Sequence, residues 1–101
     1  SQAVFHGYYL DSQDLVNQIK SNKDAVINIS KSSQWFYSFL ERNRYWNTRH
    51  DHNQLRITRV IECLRLLVSD KEADIFYNNV LELIEDNNQV NTRTLNFWSN
   101  A

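Results

Sequence analysis

The sequence predicts a single all-α domain of about five helices, preceded by an extended aromatic arm. Three observations carry this expectation. Glycine occurs once, at Gly7, and proline is absent, so the residues that break helices and shape strand turns are nearly missing. Apolar residues recur at helical rather than alternating spacing over most of the chain. The 101 residues are enough for one hydrophobic core and leave none for a second.

The elements follow in order. Ser1 to Leu10 sets Phe5, Tyr8 and Tyr9 around Gly7 without a helical period; it is expected to lie extended over the core, because its aromatics need a surface to cover. Asp11 or Ser12 caps a short helix reaching about Asn22, with Leu15, Val16 and Ile19 on one side. From Asp24 to about Glu41, the residues Ala25, Ile29, Ser32, Phe36 and Leu40 share one arc at about 100° per residue, flanked by Val26 and Phe39. Asn43 to His50 has too few apolar positions in register for a helix face and is expected to be a loop.

Asp51 to about Val68 is the next helix, with Ile57, Val60, Ile61, Leu64, Leu67 and Val68 in a continuous stripe. Leu55 and Leu66 fall on the opposite side, beside Arg59 and Glu62. Apolar residues on two sides predict a central helix touched by neighbours on both. Asn53 is expected to cap it. Ser69-Asp70-Lys71-Glu72 is a capping-box signal, followed to about Asp86 by Ala73, Phe76, Tyr77, Val80, Leu83 and Ile84 on one face. After a polar break at Asn87 to Asn91, Thr92 to Ala101 forms the last helix, Leu95 and Trp98 facing inward.

Composition narrows the function classes. Eleven Lys and Arg against twelve Asp and Glu give a net charge of −1, which removes a global electrostatic case for nucleic acid or acidic membranes. The distribution is uneven: six arginines and two acids lie between Arg42 and Arg65, six acids and two bases from Leu66 onward. A single cysteine, Cys63, excludes an intramolecular disulfide and suits a reducing compartment. No apolar run approaches the length of a membrane span. The chain therefore reads as a soluble intracellular domain, whole or excised from a longer protein.

Chemistry-bearing constellations are sparse. His50 and His52 flank Asp51, but two imidazoles without a third ligand at fixed spacing seldom hold a metal, and polar residues at a helix start are the simpler account. Cys63 sits mid-helix at the edge of the apolar stripe, where cysteine acts as a small hydrophobe rather than a nucleophile. No phosphate loop, nucleophile elbow or cofactor motif is present, so neither an enzyme nor a cofactor is expected. Arg42, Arg44, Arg49, Arg56 and Arg59, interleaved with Tyr45 and Trp46, could form a stacking and phosphate-contacting patch for nucleic acid. The competing reading is structural, with Arg56 and Arg59 one turn apart, Glu62 at helical ion-pair spacing beside them, and guanidinium groups tying loops to helix ends. Trp35, Trp46 and Trp98 are expected in the core or at its edge, and an exposed indole among them would mark a binding face.

The run His52-Asn53-Gln54-Leu55-Arg56-Ile57-Thr58-Arg59-Val60-Ile61 resembles the H-N-N-L-R-I-T-R-I-L signature of the conserved N-terminal domain of the opioid growth factor receptor family, differing by conservative replacements. The segment ending Trp35-Phe36-Tyr37-Ser38-Phe39-Leu40 resembles that family's helices finishing in an aromatic motif, and Thr94-Leu95-Asn96-Phe97-Trp98 resembles its closing helix. The chain departs where Phe5-His6-Gly7-Tyr8-Tyr9-Leu10 stands in place of a Trp-Leu-Phe-Pro motif. The resemblance implies an all-helical fold, and vertebrate members bind an enkephalin peptide and act in the nucleus. The resulting expectation is a non-catalytic module that binds a protein or peptide, with nucleic acid as the alternative. Arg42, Arg44, Tyr45, Trp46, Arg49, His52, Arg56 and Arg59 are the expected contact residues. Asn53, Leu55, Arg56, Ile57, Thr58, Arg59 and Glu62 form the structural motif.

Overall fold

The computed structural model describes residues 13–101, so the aromatic arm and the Asp11 or Ser12 cap lie outside the described residues. Among the described residues there are five α-helices: α1 Gln13–Ser21, α2 Lys23–Arg42, α3 His52–Leu67, α4 Asp70–Leu83 and α5 Thr92–Asn100. No strand occurs among the described residues. Helix α3 touches all four others and is the centre of the domain. Around it Leu40, Trp46, Ile57, Ile61, Leu64, Ala73, Phe76, Val80, Ile84, Val90 and Trp98 form one buried cluster.

Short polar residues do the work that glycine and proline do elsewhere. A single residue, Asn22, joins α1 to α2: its backbone is extended and its side chain accepts from Ala25 N at 3.1 Å, capping the second helix. Ser69 caps α4 by accepting from Glu72 N at 3.1 Å, and Asn91 caps α5 by accepting from Thr94 N at 2.9 Å. The Asn47 amide donates to Asn87 O at 2.6 Å and its oxygen accepts from Gln89 N at 2.9 Å, while Asn91 Nδ2 donates to Arg49 O at 2.8 Å. These bonds stitch the chain before α3 to the chain before α5. Amide side chains carry both a donor pair and an acceptor, which is what two exposed backbone segments with mixed needs require.

Several expectations are corrected. The α3 cap is Asp51, whose carboxylate accepts from Asn53 N at 2.8 Å; Asn53 lies inside the first turn and is buried. Asp51 wins because the cap must stand outside the helix with extended backbone, as Asp51 does. The expected loop at 43–50 contains a 3-10 turn, Arg44–Trp46, drawn tight because Trp46 folds back onto α2. The fourth helix ends at Leu83 rather than Asp86. Helix α3 is central, but its second apolar side is not covered: Leu55 is 57% exposed, Leu66 36%.

The expected ion pair between the arginine motif and Glu62, which spacing allows for Arg59, is not formed; Arg56, Arg59 and Glu62 are all exposed, and an exposed pair recovers little of the side-chain entropy needed to hold it. Among the described residues the ion pairs belong instead to Arg65, which reaches Asp70 at 3.0 Å and Asp74 at 2.8 Å. Its Nε also donates to Ala101 O at 2.9 Å. One planar guanidinium thus ties α3 to the start of α4 and the end of α5, using the fork geometry that a lysine lacks.

Candidate functional site

The basic segment after α2 is built first of all as a cap. The last carbonyls of a helix have no partner within it. Here Phe39 O accepts from Asn43 N and Nδ2, Leu40 O from Trp46 Nε1 at 2.8 Å, and Glu41 O from Arg44 Nε at 3.0 Å. Arg44 Nη1 continues to Leu83 O at 2.7 Å. Arg44 therefore closes the C-terminal ends of α2 and α4 together, where the helix dipoles favour a cation. Trp46 is fully buried, its ring 6.5 Å from that of Trp98; this is the core position expected of the tryptophans, and it removes Trp46 from the expected contact residues. Tyr45 stays 58% exposed, edge-on to Phe39.

Gln54, to which no site role was assigned from the sequence, is the hub of this region. It is buried, and its Nε2 donates to Trp46 O at 2.9 Å and Thr48 O at 2.8 Å. Its backbone carbonyl accepts from Trp98 Nε1 at 3.1 Å. The side-chain amide thus holds the backbone of Trp46 and Thr48, and the backbone carbonyl of the same residue seats the Trp98 indole. A glutamine near a helix start carries no signal of this kind in sequence, since most such residues point to water.

What remains free of structural duty falls in two places. Arg42, Arg49, His50 and His52 are exposed around the helix junction. Arg49 lines an open cleft of about 590 Å³ with Asn47, Thr48, Gln89, Val90, Asn91 and Thr92. With Trp46 in the core and Arg44 committed to carbonyls, the nucleic-acid patch keeps Tyr45 alone as a stacking surface. Among the described residues no group of three or more His, Cys, Asp or Glu side chains is placed to hold a metal ion.

The second place is a groove of about 270 Å³ between α2 and α3, lined by Asn28, Ile29, Ser32, Ser33, Val60, Cys63 and Leu64. Its walls are set by helical spacing: Val60, Cys63 and Leu64 lie within one turn of α3, and Asn28, Ile29, Ser32 and Ser33 within two turns of α2. The two helices run in opposite directions, because Asn28 to Ser33 lies across from Val60 to Leu64 while Leu40 and Gln54 both hold Trp46. Going towards that junction, Trp35 lies two turns beyond Asn28 on the same side of α2, and Arg56 one turn before Val60 on α3. Trp35 is 76% exposed, the exception to the expectation that the tryptophans are core or edge.

Cys63, half-buried in this groove, has its thiol pushed up by burial, as expected of a cysteine among apolar neighbours. At neutral pH its alkylation by iodoacetamide should be several-fold slower than that of the urea-unfolded chain, with the reaction rising at higher pH than in the unfolded chain. Equal rates in the two states would show an accessible thiolate.

No protein-family model, no curated protein and no solved structure matches the chain. No helix among the described residues is long and apolar enough to cross a membrane.

Proposed function

We propose that the chain is a non-catalytic binding module that receives a peptide or protein segment along the groove between α2 and α3. The observation that carries this reading is Trp35. An indole held on a regular helix with three-quarters of its surface in water costs solvation free energy that a partner would recover, and tryptophan is the residue most enriched among binding hot spots. The groove beside it is apolar, and Arg56 is exposed on α3 one turn before Val60. An amphipathic helix with apolar anchors at one-turn spacing and acidic residues at its edge fits these features.

A displayed library of helical peptides patterned with apolar and acidic residues tests the reading. Selected binders should lose at least about tenfold in affinity on Trp35→Ala, which is the scale of one hot-spot residue. Their binding should also perturb the amide resonances of Asn28 to Ser33 and Val60 to Leu64. The substitution itself should change stability by less than about 0.5 kcal/mol, as for surface positions generally. Binders indifferent to Trp35→Ala, or perturbations confined to the cleft at Arg49, would overturn it. Tight, salt-sensitive binding of a labelled oligonucleotide at low salt would favour the nucleic-acid alternative.

A further inference from the structure

We propose that a different side of α3, carrying Leu55, Arg59, Glu62 and Leu66, is a self-complementary surface on which two copies of this chain pair. The four residues are spaced by four, three and four positions and fall within an arc of about 60° on a helix turning about 100° per residue. All four are exposed, and Arg59 and Glu62 take part in no ion pair among the described residues. A central helix whose core face is already filled by Ile57, Ile61 and Leu64 thus carries a second stripe with apolar ends and charged middle.

The order of the stripe selects the partner. A two-fold axis perpendicular to α3, passing midway between Val60 and Ile61, sets Leu55 of one copy opposite Leu66 of the other. The same axis brings Arg59 of one copy level with Glu62 of the other. Both relations occur twice, as an isologous interface demands. Leucine meets leucine at the two ends, and opposite charges share a level at the centre, where the long side chains span the sideways offset between them. A stripe about 16 Å long is smaller than the roughly 800 Å² per partner of a standard stable interface. The dimer is accordingly weak and forms as concentration rises.

Sedimentation velocity of the 101-residue chain, from micromolar to about 1 mM where even weak pairs form, tests this. The wild type should move from monomer to dimer mass. Arg59→Glu and Glu62→Arg, each made alone, set like charges face to face and should weaken dimerisation at least about tenfold. An equimolar mixture of these two variants should restore it, because the acid introduced at 59 then faces the base introduced at 62 in the other copy. Restoration in trans cannot come from a contact within one chain. Unchanged circular dichroism of both variants guards against misfolding. A wild type that stays monomeric throughout, single variants that pair as well as wild type, or a mixture that fails to pair would each overturn the proposal.

Discussion

Trp46→Ala is expected to remove about 3–5 kcal/mol of stability, the cost of truncating a large aromatic in a packed core. That would leave little of a domain whose total stability is on the order of 5–15 kcal/mol. The side chain is fully buried, packs with Trp98, and donates to the Leu40 carbonyl at the end of α2. Trp46→Phe separates the two contributions. It keeps most of the apolar volume but strips Leu40 O of its donor, for a smaller loss of about 1–3 kcal/mol. Urea unfolding followed by circular dichroism should rank wild type, Trp46→Phe and Trp46→Ala in that order. An alanine variant within about 1 kcal/mol of wild type would show that the indole is not a core element.

The second large effect falls on Gln54. Gln54→Leu removes both donors and strands the Thr48 carbonyl, and should cost about 2–3 kcal/mol at any pH. Gln54→Glu goes further. A carboxylate would sit buried against the Trp46 and Thr48 carbonyls, which are acceptors, so neither burial nor hydrogen bonding favours its charged form. Its folded pKa should lie above the roughly 4.3 of an unfolded glutamate. Between those two values the folded state binds more protons, so stability falls as pH rises. Thermal melts should show the Glu variant closest to wild type near pH 4 and weakest at pH 7. A pH-independent loss would mean that the side chain has turned out to water.

Helix count and apolar stripes were legible because each depends on local periodicity and on caps of recognisable chemistry, Ser69 among them. The roles of the tryptophans were less so. Trp46 stands among polar residues and fits either a core or a contact role; what seats it is the carbonyl of Leu40, six residues back, which no pattern flags. Trp35 was the more readable case. At about 100° per residue it falls roughly a quarter-turn outside the stripe of Ala25, Ile29, Phe36 and Leu40, so its exposure follows from the spacing once the aromatic label is set aside. Gln54 stood inside the arginine motif without announcing itself, since its partners come from a loop and from α5, 44 positions away.

The arginines themselves mark the boundary between fold and function. Arg44 and Arg65 act as braces because backbone carbonyls and carboxylates converge on them. Arg56 and Arg59 stand in the more conspicuous motif and are exposed. Spacing places Arg59 beside Glu62, but a pair in water holds too little energy to form reliably.

Within the motif, Gln54 is buried and bonded to the loop while Arg56 and Arg59 are exposed. Equilibrium urea unfolding of the Arg56→Ala, Arg59→Ala double variant, at a concentration below self-association, tests this division of roles most directly. Its stability should lie within about 0.5 kcal/mol of wild type, the range of surface substitutions. A loss of more than about 2 kcal/mol would show that the arginines themselves hold the fold together, and would contradict it.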